Sequence, residues 1–351
     1  MIILDNGGYT LKYATKGQEC TQVQNCLGRF GREIVVAPET LSEVSEVRRP
    51  VQRGVLVDPQ LQSKVWKKTL GSANSLLVNY PLYSPSASRA YLDELMFEKF
   101  QFLTGLRLPT GFAGSGIIVD VGFSATSIMP VYSGIPINYA TKRIDVGGKL
   151  LTNYLKEQIS FRQYDMREES WLVNLIKEKL CRVSFDFLTE LSKYKHNHRS
   201  RIYVLPDGNE EGHFLREYED TTQKQTLDLG NLEISLPELL FNPSDIGINQ
   251  AGIPEVLAEV VNSLPDPLKS VLCNNIIVVG GSSNFSGLQQ RLEKDLRASL
   301  DTNISFNISK GDQYSNWRWL NSSQRELVTK EQYLEMGSEY LDSRYYFFDI
   351  I

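Results

Sequence analysis

The sequence predicts an α/β fold whose two similar halves face one cleft, and three stretches lead to that expectation. Ile117, Ile118 and Val119 form an apolar run ending in Asp120 and Gly122, and apolar residues resume over 128–131. This reads as two buried strands joined by a tight turn. The same pattern opens the chain: Ile2-Ile3-Leu4 runs into Asp5-Asn6-Gly7-Gly8, with Leu11-Lys12-Tyr13-Ala14 as the return strand. A third run, Ile276-Ile277-Val278-Val279, empties into Gly280-Gly281-Ser282 before leucines at 288, 292, 296 and 300 mark a helix.

A strand tip that sets an acid beside a glycine suits a charged ligand. Glycine lets the backbone approach with its N–H groups turned outward, while the carboxylate orders a hydrated Mg²⁺ against phosphate oxygens. Asp145-Val146-Gly147-Gly148 then opens an amphipathic helix with Leu150, Leu151, Tyr154 and Leu155, and such an N-terminus attracts anions. Any one of these turns alone is explained as well by an ordinary glycine turn. Two matching tips facing one cleft would clamp a polyphosphate from both sides. Neither a P-loop lysine motif nor a GxGxxG fingerprint is present.

The 351 residues are enough for one large or two medium domains, and 41% apolar with 23% charged residues is an ordinary globular balance. A net charge of −5 gives no general attraction to nucleic acid. The first strand begins at residue 2, and no apolar run approaches the roughly 20 residues that span a bilayer, so a soluble intracellular protein is expected. Cysteines 20, 26, 181 and 273 lack zinc-ligand spacing and read as thiols in a reducing compartment.

Segment 20–49 is weakly patterned. Asp58-Pro59 then caps a helix with Leu61, Val65, Trp66 and Leu70 on its apolar face. Residues 75–82 read as a buried strand, and a helix is expected over 88–100 after the Ser84-Pro85-Ser86 turn. Another is expected over 168–185, projecting Lys177 and Glu178 toward the cleft or toward solvent. The basic, aromatic stretch 193–201 reads as a solvated loop or a contact patch for an acidic partner or nucleic acid, and His196 and His198 have no metal-site pattern. Segment 209–229 reads as a mobile surface excursion, and 254–264 as a helix stopped by Pro265-Asp266-Pro267.

These motifs resemble the actin family along nearly the whole chain. Residues 5–12 are similar to its first phosphate loop, 120–126 to its second and 280–287 to its adenosine loop, while Leu175-Ile176-Lys177-Glu178-Lys179-Leu180-Cys181 resembles the helix beside the base. Ser160-Phe161-Arg162-Gln163-Tyr164-Asp165-Met166 and the tail Tyr345-Tyr346-Phe347-Phe348 resemble a nuclear branch, the actin-related protein 6 subfamily. The resemblance implies an actin-like two-lobed ATPase fold of duplicated ribonuclease-H-like domains. The first lobe would be 1–113 plus 314–351, with a reduced exposed subdomain at about 27–50; the second would be 114–313, with an inserted subdomain at about 148–246.

By the same resemblance the cleft holds ATP or ADP with Mg²⁺. The phosphates would lie against Asp5, Asn6, Gly7, Gly8 and Lys12 on one side and Asp120 and Gly122 on the other, with Asp5 and Asp120 holding the metal through water. Gly148, at its helix N-terminus, would also contact the nucleotide, and Lys177, Glu178, Gly280, Gly281, Ser282 and Phe285 would surround the adenosine. Several residues depart from the family. Tyr9 stands where a small residue is usual, Phe123-Ser124 replace an acid and a glycine, Phe285 replaces a tyrosine, and Gln313 stands near a family lysine. Segment 102–116 is too short for the helix that brings the water-positioning glutamine, and it contains no glutamine. Because phosphoryl transfer depends mainly on positioning, weak or absent hydrolysis and no catalytic residue are expected.

The resemblance therefore implies a non-catalytic scaffold subunit of a nuclear, SWR-type chromatin remodelling complex. That complex exchanges a variant histone into nucleosomes while a separate motor hydrolyses ATP. Its partners would be the other subunits, with histones or nucleosomes as further contacts. An active ATPase or sugar kinase would need a general base in the cleft, and a filament-forming actin would need the full exposed subdomain.

Overall fold

The computed structural model describes residues 1–343 apart from 40, 42, 43, 45, 72, 82, 110–113, 198–200, 208, 209, 312, 313 and 323–325. Gln313, the aromatic tail at 345–348 and part of 193–201 thus lie outside the described residues. Two sheets carry the architecture, and they repeat one topology. In the first, strand Ile2–Asn6 pairs antiparallel with Thr10–Thr15, which pairs with Thr21–Gln24. On its other side Ile2–Asn6 runs parallel to Ser75–Tyr80, followed by Thr104–Pro109. In the second sheet, Gly116–Val121 pairs antiparallel with Thr126–Tyr132 and parallel with Ile276–Val279, followed by Ile308–Lys310. The repeat of acid and glycine in the sequence is thus a repeat of strand order, as a duplicated actin-like fold requires.

Each sheet has its own core. Ile3, Leu4, Leu11, Val78 and Leu106 are buried in the first, and Ile117, Val119, Ile128 and Val278 in the second. Residues of helix Ser315–Ser322 reach both lobes. Trp317 joins the first core and donates its indole N–H to Ile3 O at 3.2 Å, while Trp319 packs beside Ile118 and Val279 of the second sheet. Helix Pro59–Thr69 starts as expected, with the Asp58 carboxylate accepting from Leu61 N at 2.9 Å. It presses the fully buried Trp66 against the first strand tip, the indole N–H donating to Asn6 Oδ1 at 3.3 Å. A three-stranded sheet of Leu27–Phe30, Glu33–Val36 and Glu46–Arg48 forms the small subdomain that precedes this helix.

Several expected elements differ. The helix read over 88–100 begins at Ser86, runs to Glu94 and continues as a wider π turn over Leu95–Lys99. The helix read over 168–185 spans only Ser170–Leu180, because the chain turns extended at Cys181 so that Arg182 N reaches Glu233 O and Val183 N reaches Ser286 O. A separate helix, Phe187–Asn197, contains most of the basic stretch read as a loop, and Tyr194 OH in it donates to Glu233 Oε2 at 2.9 Å. A further helix, Asp266–Cys273, starts at the prolines that were read only as a stop.

Segment 209–229 is not a loose excursion. His213–Phe214 and Thr226–Asp228 flank Ile202–Val204 in a sheet that buries Tyr203 and Leu227. Its polar composition belongs to the outer side, where Lys224 bridges Glu210 and Glu219 and His213 meets Glu219. Among the described residues no helix is long and apolar enough to cross a membrane. Cys26, Cys181 and Cys273 are buried free thiols and Cys20 is half-buried; burial pushes Cys181 up to about 12 and the others to about 11.

Replacing Trp66 by alanine leaves a cavity beneath the first tip and strands Asn6, and we expect it to destabilise the fold by about 3–5 kcal/mol in urea unfolding. A loss below about 1 kcal/mol would show that this contact does not support the tip.

Candidate functional site

The carboxyl ends of the inner strands of both sheets open on one cleft of about 580 Å³. Open α/β sheets bind ligands at such an edge. All fourteen residues singled out in the sequence line it: Asp5, Asn6, Gly7, Gly8 and Lys12 from the first lobe, with Asp120, Gly122, Gly148, Lys177, Glu178, Gly280, Gly281, Ser282 and Phe285 from the second. The two hairpin tips nearly touch, since a Cβ on Gly8 would lie 2.6 Å from Ser124 Oγ. Gly280 is forced to be glycine twice over: its φ is +94°, and a Cβ there would come within 2.5 Å of Val121 O and 2.6 Å of Asp120 Oδ1.

The two acids differ in how far they are compensated. Asp5 is paired across the hairpin with Lys12, whose Nζ lies 3.3 Å from Oδ2, and its Oδ1 accepts from Asn79 Nδ2 at 2.5 Å. Asn79 also accepts from Asn6 N at 2.7 Å, so it fixes the tip from the adjacent strand. Asp120 receives only Asn316 Nδ2, at 3.2 Å, and no cationic side chain bonds to it among the described residues. Burial holds its carboxyl above the ordinary range and the Asp5 charge adds to the effect, against the lowering hydrogen bond from Asn316.

A recessed carboxylate of this kind is suited to a hydrated cation. No cluster of three or more His, Cys, Asp or Glu able to hold a metal occurs among the described residues.

At the other end of the cleft, helix Ser170–Leu180 supplies Lys177 and Glu178. The buried Lys177 ammonium donates to Asn174 Oδ1 at 2.7 Å, Thr152 Oγ1 at 2.9 Å and Gly148 O at 3.2 Å. Its three hydrogens are therefore engaged within the second lobe. Glu178 accepts from Asn174 Nδ2 at 2.8 Å. The turn Gly281–Asn284 and the buried Phe285 close this end.

The family model described as Actin matches residues 1–346. The chain belongs to the actin family. It is 35% identical to Actin-like protein ARP6 of Yarrowia lipolytica over 84% of this chain and 82% of that protein. To Actin-related protein 6 of Arabidopsis thaliana it is 32% identical over 99% of both. With Actin-like protein C08B11.6 of Caenorhabditis elegans the identity is 32%, covering 88% of this chain and 81% of the other. Within this family fold, ATP or ADP with Mg²⁺ fits the residues present: glycine tips on both sides, one lysine-balanced acid and one under-compensated acid. When bound, such a nucleotide would add negative charge that both lobes contact.

Six residues separate strand Thr104–Pro109 from strand Gly116–Val121, and neither Gly114 nor Ser115, the two described ones, lines the cleft. Gln101, the nearest glutamine before it, is exposed and bonded to Lys330 instead. Among the cleft residues that escaped the sequence reading are Asn79, Asn174, Asn316 and Thr141. The signal at Asn79 was a lone amide in an otherwise apolar strand just before a proline; the others carry no local signature.

Burial lowers the Lys177 pKa from 10.5 to about 8, opposed by the Glu178 charge. Between these values the unfolded chain holds a proton that the folded chain has released, so stability rises with pH there. Between about pH 7.5 and about pH 9.5 the wild type should gain up to about 2 kcal/mol relative to Lys177→Met in urea unfolding. Parallel pH profiles for the two proteins would show that Lys177 stays charged throughout.

Proposed function

We propose that this actin-family protein is a non-catalytic scaffold subunit of a nuclear, SWR-type chromatin remodelling complex that exchanges a variant histone into nucleosomes. In this reading it holds ATP or ADP with Mg²⁺ as a structural ligand. The supporting observation is a cleft with the parts for gripping a polyphosphate, Asp5 with Lys12 and Asp120 with Gly280, in a chain whose segment 102–116 contains no glutamine. Relatives in a fungus and a plant are named Actin-like protein ARP6 and Actin-related protein 6. The nuclear and chromatin assignments extend that resemblance to the subfamily's setting.

A ligand confined to the folded state stabilises it by mass action, so a retained nucleotide fixes the orientation of the lobes without turnover. Partners would then meet one rigid surface. The small sheet of 27–48 is short for the loop that inserts into a neighbouring filament subunit, which favours complex assembly over polymerisation.

Protein purified from its native host should co-elute with bound nucleotide and with the other subunits of a remodelling complex, while releasing phosphate no faster than a protein-free control. Chelating Mg²⁺ should lower its melting temperature by several degrees, an effect reduced in Asp120→Asn. Rapid turnover by the isolated chain, abolished by Asp120→Ala, would overturn the scaffold assignment.

A further inference from the structure

Two of the three residues that break the family pattern at the tips are aromatic, and they meet each other. Tyr9 follows Gly8 in the first lobe and Phe123 follows Gly122 in the second; their ring centroids are 4.7 Å apart, with planes at 43°. Arg49 lies over this pair, its Cζ 4.4 Å from the Tyr9 centroid and 5.3 Å from that of Phe123. Its Nη1 donates to Tyr9 O at 2.7 Å and to Asn25 O at 3.4 Å, and Asn25 Nδ2 in turn donates to Gly7 O at 2.8 Å. The cation is thus fastened to the first lobe by backbone carbonyls. No carboxylate pairs with it among the described residues, which leaves the two ring faces as its electrostatic partners. On the far side, Tyr9 OH accepts from Asn174 Nδ2 of the second lobe at 3.3 Å.

The pair also divides the space between the lobes. Tyr9, Phe123 and Asn174 line both the inner cleft and an outer hollow of about 330 Å³. Asp5, Asp120 and Gly280 face only the inner space, while Arg49, Lys149 and Ser170 face only the outer. Elsewhere among the described residues the lobes touch through Arg143 Nη2 to Arg53 O at 2.7 Å, Tyr83 OH to Thr141 O, Asn316 Nδ2 to Asp120 Oδ2 at 3.2 Å and the packing of Trp319 on the second sheet.

We propose that Tyr9, Phe123 and Arg49 form a latch that joins the lobes and must part before nucleotide passes between the inner cleft and the outer hollow. The passage of nucleotide rests on the reading of the cleft given under Proposed function; the joining of the lobes does not. The latch makes exchange depend on lobe opening, and it keeps the lobes together when the cleft is empty of nucleotide.

Two measurements on the full chain separate these parts. In stopped-flow release of a fluorescent ATP analogue, Phe123→Ala should dissociate about ten-fold faster than wild type, equivalent to about 1.4 kcal/mol, and Tyr9→Phe, which keeps the ring, within about two-fold. In protein stripped of nucleotide, deuterium uptake at loops 6–9 and 122–125 should rise in Phe123→Ala while the central strands stay protected. Unchanged release from a protein that does bind the analogue overturns the gating. If no variant and no wild type binds the analogue, the nucleotide reading fails, and uptake alone decides the latch: equal uptake in wild type and Phe123→Ala overturns it.

Discussion

Two hairpin tips held almost in contact across a gap are the constraint on which this molecule is built. A Cβ on Gly8 would already crowd the Ser124 hydroxyl, so the first tip carries glycine where the second tip's serine meets it. To bring them there, each lobe places its hairpin beside a parallel strand and aims the carboxyl ends at the same space. The arrangement sets Asp5 and Asp120 near each other in a recessed site, an electrostatic cost that the fold offsets unequally. Lys12 and Asn79 serve Asp5, whereas Asp120 has one amide from the helix that also carries Trp317.

The tips were legible in the sequence because their signal is local. An apolar run with an acid and glycines at its end specifies a strand, its turn and the outward-facing backbone within about ten residues. All the glycines and charges chosen on that basis line the cleft. The amides Asn79, Asn174 and Asn316 were not legible, since an asparagine in a strand or helix carries no mark of the distant acid or phenol that it bonds. Tyr9 was recognised as a departure near the phosphates, yet its partner Phe123 stands in the other lobe, where only the closed arrangement joins them. Polarity misled the reading of 209–229, because one hydrated side of a small sheet has the composition of a loop while Tyr203 and Leu227 are sealed on the other.

The shortened connection between the lobes links several of these features. An α/β crossover of full length would have carried both a hinge and a polar group for the cleft. Here only six residues separate Pro109 from Gly116, and the returning helix Ser315–Ser322 touches both sheets through Trp317 and Trp319. Aromatic packing has thus taken over part of the joining of the lobes, while the cleft retains charges suited to gripping an anion.

That returning helix also makes the first lobe discontinuous. Strand Val328–Thr329 completes the edge of the first sheet against Thr104 and Gly105, and Trp317 closes over Ile3. As the polypeptide leaves the ribosome, the second sheet has all its strands once Ile308–Lys310 has emerged, whereas the amino-terminal sheet still lacks its edge strand and its tryptophan lid. The half made first is therefore finished last, and a nascent chain stalled before residue 315 would display a completed second lobe beside an open first one.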